Sequence, residues 1–257
     1  MPRVLKGCAI GCVSLAVLLV IGVVFGARAL SGFVNQKPPA PPVAAPNSVF
    51  RSRFVTNGGE ELEAGTAFVI HDSQGKPTML TALHLFGEAG GLSKEIPPAE
   101  MSKRIVRGAL LDFRTGKPVG SLGPARLKTG KPFSEKHGAR RDLAAFSLKA
   151  TAQTTSLKLA ARNPGSMEWV WLLGDEVKHN PQTPRLFPGR VLLTDSDSVT
   201  ILFEPPVELM AFSGAPLINA SGEVVGTLIS GDESGRIGSA NPVEEIRAHL
   251  RENRVIR

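Results

Sequence analysis

The sequence predicts an all-β domain behind an N-terminal apolar segment and a proline-rich linker. Three observations point there. Glycine (27 residues) and proline (20 residues) are plentiful in a chain of 257, which suits many short strands and tight turns better than a bundle of helices. Apolar runs of strand length recur, each broken by Gly, Asn, Asp or Pro. An apolar content of 42% with 21% charged residues belongs to a globular chain and not to a disordered one.

The N-terminus comes first. Ala9 to Phe25 is almost unbroken apolar sequence, preceded by Arg3 and Lys6. With Cys8, Gly26 and Ala27 it reaches the length of a bilayer span, about 20 residues. The expected division is a short cytoplasmic stretch at 1–7, a transmembrane signal anchor at 8–28 and a linker at 29–47. Positive charge before the span favours an extracytoplasmic domain. The alternative is a signal peptide cut after Ala27-Arg28-Ala29, giving a secreted domain. The length of the run favours the anchor. Cys8 and Cys12 are the only cysteines, so no disulfide is expected in the domain and cysteine usage does not fix its redox compartment. Their spacing of four reads as small residues on one face of a membrane helix, with palmitoylation as the alternative. Gly7-Cys8 precedes the apolar run, which argues against a lipoprotein signal. Lys37 to Pro46 favours extended polyproline geometry and reads as a semi-rigid spacer; a proline-rich recognition ligand is the sharper alternative. The net charge of +7 comes from scattered basic residues without a nucleic-acid-binding motif, so no nucleic-acid partner is expected. Contact with anionic lipid headgroups is compatible with it.

Within the domain, Thr66 to Ile70 reads as a strand and 71–77 as a turn. Thr78 to Ala82 returns as a second strand that delivers His84 at its end. Leu143 to Leu148 is a short apolar strand with Asp142 at its entrance, after Arg140-Arg141. Phe212 to Leu217, a turn at Asn219 to Gly222 and a strand at Glu223 to Ser230 follow. Histidine, aspartate and serine thus stand in that order beside strands. They are the set that a hydroxyl nucleophile needs: a base to take its proton and a carboxylate to orient the base. His71, His137, His179 and His249 read as packed or surface histidines, and Asp112 and Asp175 rank below Asp142. The irregular histidine spacing and the absence of domain cysteines argue against a metal cluster.

Three groups of residues carry a resemblance. They are Gly65-Thr66-Ala67-Phe68 followed by Thr81-Ala82-Leu83-His84, then Asp142, then Ser213-Gly214-Ala215-Pro216. From about Ser48 to its C-terminus the chain resembles the trypsin-like (chymotrypsin-fold) serine peptidases, closest in style to bacterial HtrA-type peptidase domains without a PDZ extension. The resemblance implies two six-stranded antiparallel β-barrels, at about 48–150 and 151–242. Ile237 to Pro242 would be the closing strand. A C-terminal amphipathic helix at 243–252 would pack on the second barrel.

It also implies roles. Ser213 would be the nucleophile, His84 the general base and then acid, and Asp142 the orienting carboxylate. The backbone N–H groups of Ala211 and Ser213 would form an oxyanion hole. Val207 would lie at the base of the primary specificity pocket, which argues against Arg or Lys there and for a small or aliphatic side chain. Leu228, Ile229, Ser230 and Gly231 would pair with substrate backbone. Two positions depart from the pattern. Ala211 replaces the usual glycine, and a Cβ restricts the dihedrals an oxyanion hole needs. Phe212 replaces the aspartate that receives a new N-terminus in trypsin-type zymogens. The implied function is a membrane-tethered serine endopeptidase acting on proteins or peptides without a cofactor. The alternative is a catalytically impaired pseudopeptidase serving as a peptide-binding or scaffold module.

Overall fold

Strands in this chain alternate inward and outward with period two, as a closed sheet requires. In Val49–Thr56, residues Phe50, Ser52, Phe54 and Thr56 are buried while Arg51, Arg53 and Val55 face out. In Val199–Phe203, Val199, Ile201 and Phe203 point inward. A computed structural model describes residues 36–134, 138–150, 154–179 and 182–257. The apolar segment 8–28 and His137 lie outside the described residues. Among the described residues, no helix is long and apolar enough to cross a membrane.

The first six strands are β1 (Val49–Thr56), β2 (Glu61–His71), β3 (Pro77–Thr81), β4 (Ile105–Leu111), β5 (Pro118–Ala125) and β6 (Ala144–Ala150). They close into an antiparallel barrel in the order β1-β2-β3-β6-β5-β4. The next six are β7 (Trp169–Gly174), β8 (Arg185–Thr194), β9 (Val199–Phe203), β10 (Pro216–Ile218), β11 (Val224–Gly231) and β12 (Ile237–Pro242). They close in the order β10-β11-β12-β9-β8-β7. Closure leaves neither sheet with an unpaired edge along its whole length. A one-turn helix α1 (Met101–Arg104) precedes β4, and helix α2 (Val243–Glu252) follows β12.

Turn chemistry sets the hairpins. Asp72 Oδ1 accepts the N–H groups of Gln74 (2.8 Å) and Lys76 (2.9 Å), closing the β2–β3 turn. Asn219 Oδ1 does the same for Ser221 and Glu223 between β10 and β11.

Each barrel has its own core. Phe54, Phe86 and Phe146 meet in the first, with ring centroids 4.7 to 5.6 Å apart. Val170, Leu172, Val191, Ile201, Phe203 and Phe212 fill the second. A third cluster joins them. Phe68, Ile70 and Leu80 of the first barrel pack there with Trp171, Leu173 and Ile218 of the second and with Ile246 and Leu250 of α2. The helix was expected to lie on the second barrel. Val243 does so, but the same apolar stripe continues through Ile246 and Leu250 into the shared cluster. Ala44 and Ala45, at the end of the proline-rich stretch, also pack against this cluster, and Ser48 Oγ donates to the Ala45 carbonyl (2.7 Å). The compact unit accordingly starts at Ala40.

Candidate active site

Strand β3 ends at Thr81, and a single 3-10 turn, His84–Phe86, follows. The N–H groups at such a turn's start lack partners inside it. Here Leu83 N–H and His84 N–H both donate to Asp142 Oδ1, at 2.6 and 2.9 Å. Asp142 stands just before β6 and is fully buried. Its Oδ2 accepts from His84 Nδ1 (2.6 Å) and from the backbone N–H of Phe133 (3.0 Å). Four donors thus surround the carboxylate, which makes its burial tolerable. Nδ1 faces an acceptor-only group and so carries the ring proton, leaving Nε2 as the acceptor of a neutral imidazole. Nε2 lies 3.0 Å from Ser213 Oγ. The same hydroxyl lies 3.2 Å from the Ile229 carbonyl oxygen, a second acceptor for its single proton.

Ser213 is held by the first barrel as well as the second. Thr66 N–H donates to the Ser213 carbonyl (2.8 Å), and Thr66 Oγ1 donates to the Ala211 carbonyl (3.0 Å). Gly214 has φ +88°, and a Cβ there would run into the Thr66 carbonyl and Thr81 Oγ1, so only glycine fits this crossing. Phe212 is fully buried, its ring edge-on to Phe187 at 5.4 Å. It anchors the segment by packing.

Ala211 is the instructive position. Phe212 N–H bonds to the Leu209 carbonyl (3.1 Å), and Ala211, third in that turn, has φ +67°. A hydrogen-bonded turn with positive φ at its third residue is of type II. The Cβ was expected to oppose that conformation. The residue adopts it nonetheless, at a cost of about 1 kcal/mol, held by the Thr66 bond to its carbonyl.

A cavity of about 610 Å³ opens beside Ser213. Val207, Leu209 and Leu228 line it together with the carboxylate-bearing Glu208, Asp232 and Glu233. Val207 is almost fully buried and its N–H bonds to the Gly235 carbonyl (2.9 Å). Glu208 pairs with Lys178 (3.1 Å). The Asp232 carboxyl is held below the usual range, chiefly by the Ser234 hydroxyl and then by the Ile237 N–H. Sequence reasoning placed Val207 here but missed the carboxylates. The only signal was the turn-forming run Asp232 to Gly235.

The strand segment Leu228 to Gly231 also lines the cavity. Leu228 is not free to pair with anything further: its N–H bonds to the Ala215 carbonyl and its carbonyl accepts from Gly214, both at 2.8 Å. Ile229, Ser230 and Gly231 lie past the short strand β10, whose register with β11 ends at Thr227. Elsewhere, Asp175 is buried and paired with Arg185 (3.1 Å), and Asp112 caps an exposed turn with Thr115. His71 ends β2, and His179 is a half-exposed neighbour of Asp175. His249 is fully buried in α2.

No family model matches the chain, and no curated protein does. Solved structures do. The active form of the Rv3671c protease from M. tuberculosis superposes with a TM-score of 0.53 at 19% identity, over 86% of this chain and 93% of that one. The thermostable serine protease AL20 from an extremophilic microorganism gives 0.56 at 15% identity, over 79% and 94%. With two closed six-stranded barrels meeting along His84, Asp142 and Ser213, the chain has the fold of the trypsin-like (chymotrypsin-fold) serine proteases.

Proposed function

We propose that the chain is a serine endopeptidase. The observation that carries this reading is the continuous path Asp142 Oδ2 to His84 Nδ1 (2.6 Å) and His84 Nε2 to Ser213 Oγ (3.0 Å) at the mouth of a cavity. Ser213 Oγ attacks the scissile carbonyl as His84 Nε2 takes its proton. Asp142 holds the tautomer and stabilises the imidazolium without itself becoming protonated. The N–H groups of Ala211 and Ser213 receive the oxyanion. His84 then protonates the leaving amine, and water hydrolyses the acyl-enzyme by the same route in reverse.

The pseudopeptidase alternative drew its support from the Cβ at 211. A positive φ at Ala211 weakens that support. The apolar Val207, Leu209 and Leu228 favour a small or aliphatic substrate side chain in the cavity. The apolar run at 8–28 and its flanking charge support a tether with the domain on the extracytoplasmic side.

The test is labelling by a fluorophosphonate probe, which phosphonylates an activated serine and expels fluoride. The wild-type chain is expected to label, with Ser213→Ala abolishing the adduct and His84→Ala slowing it by about 10⁶-fold. Absence of label in folded wild type would overturn the reading.

A further inference from the structure

We infer that the backbone N–H of Phe133, on a loop clamped by the C-terminal helix, is a positioning group for Asp142 and through it for His84. The inference rests on the protease reading of the site. A carboxylate's terminal torsion is soft, so Asp142 can hold the imidazole in one plane only if both oxygens are pinned. Leu83 and His84 N–H groups pin Oδ1. On Oδ2, the sole donor besides His84 Nδ1 among the described residues is Phe133 N–H, at 3.0 Å. Without it, Oδ2 would face the imidazole alone inside a fully buried site.

The loop that presents this N–H leaves β5 with Arg126 N–H bonded to the Ala145 carbonyl of β6 (2.7 Å), and further along it is tied to α2. Asn253, which ends α2, accepts the Lys128 N–H at Oδ1 (3.0 Å) and donates through Nδ2 to Thr129 Oγ1 (3.2 Å). His249 Nε2 donates to the Thr129 carbonyl (2.9 Å). Gly130 follows with φ +156°, and a Cβ there would lie 2.7 Å from Leu83 Cδ2, so the chain passes directly over one of the Oδ1 donors. Lys131 N–H then bonds to the Arg141 carbonyl (3.1 Å), next to Asp142 itself. From its other side Arg141 pairs with Glu252 (2.9 Å), and Arg140 with Glu245 (3.0 Å), both acids on α2. The loop that carries Phe133 and the segment that enters Asp142 are therefore both fastened to one helix.

The experiment replaces Phe133 in the full chain by its α-hydroxy acid, turning one amide into an ester, which deletes that N–H and leaves the side chain in place. The same replacement at Ser134 controls for the ester. The proton resonance of the His84 Nδ1–H···Asp142 hydrogen bond is expected to move downfield, because Oδ2 loses its competing donor, and fluorophosphonate labelling to slow about tenfold. The Ser134 ester should keep the wild-type resonance. An unmoved resonance in the Phe133 ester overturns the inference whatever the rate does, since a general loosening of the loop could slow labelling. Should that ester fail to fold, Asn253→Ala takes its place. A smaller downfield shift supports the inference, and none overturns it. A wild type that does not label would sink the protease reading alone, because the resonance needs no reactive serine.

Discussion

Ala211 holds φ +67° where glycine would be at ease, and under the proposed mechanism its N–H is one of the two oxyanion donors. Relief of the left-handed strain by Ala211→Gly is worth about 1 kcal/mol. The extra freedom of glycine in the unfolded chain offsets it by roughly 0.5–1 kcal/mol. The variant is therefore expected to match wild type in stability within about 1 kcal/mol and in labelling rate within a few-fold. A gain of about 10²–10³ in rate would mean that the peptide is reversed in the alanine protein and an oxyanion donor is missing. At this scale the sequence was partly legible. His84, Asp142 and Ser213 stand out because their side chains are chemically distinctive and their order is informative. The Phe133 N–H does not, because every residue but proline carries one and only the fold says which reaches Oδ2. Glu208 was equally hidden: it lies on the connection from β9 to β10, which are not neighbours in the barrel, and only the turn-forming run after Asp232 hinted at the other carboxylate.

Helix α2 is more than a lid on the second barrel. Its His249 is fully buried with Nδ1 unpartnered and Nε2 bonded to the Thr129 carbonyl. Burial lowers its pKa most, the Thr129 carbonyl works against that, Arg141 lowers it again, Glu252 and Glu245 raise it more weakly, and the net shift is downward. In the folded state the ring is thus neutral at a pH where the unfolded chain, near 6.5, already takes up a proton. The sign follows. Stability is complete above about pH 6.5 and falls as pH drops from there toward the native value. His249→Gln, which can still donate to Thr129 and does not titrate, is expected to flatten that limb between about pH 7 and 5, read as the denaturation midpoint against pH. An unchanged limb would place the proton uptake elsewhere. Asp72, Asp112, Glu168 and Asp232, all lowered, lose their stabilisation only as pH falls through still lower values, so they do not confound the test. The β2–β3 hairpin and α2 were readable, the first from Asp72 and Gly75 in its turn and the second from apolar residues at 243, 246 and 250. The packing of Ala44 and Ala45 was not. Small residues in a proline-rich run give no periodicity, and their burial depends on a cluster assembled from distant strands.

Two barrels of similar size could behave as independent folding units, each with its own core. The third cluster argues otherwise. Its members come from both barrels and from α2, so neither barrel can open its inner face without exposing Trp171, Phe68 or Leu80 to water. The resemblance read from three motifs pointed to two barrels, but not to how strongly they are joined, because the joining residues are ordinary Leu, Ile and Phe on strands far apart in the chain. Ile246 is fully buried in that cluster, on a helix outside both sheets. Ile246→Ala should cost about 2–5 kcal/mol. The form of the transition says more than its size. Both tryptophans lie on β7 in the second barrel, so their fluorescence follows that barrel, whereas far-UV circular dichroism sums strands of both. If the shared cluster makes the molecule one cooperative unit, the two signals coincide along a denaturant titration in wild type and shift together in Ile246→Ala. Signals that separate, with fluorescence lost first and part of the strand signal persisting, would show barrels that fold apart. The proposed catalytic groups would then be assembled only by docking of one barrel on the other, since His84 and Asp142 belong to the first and Ser213 to the second.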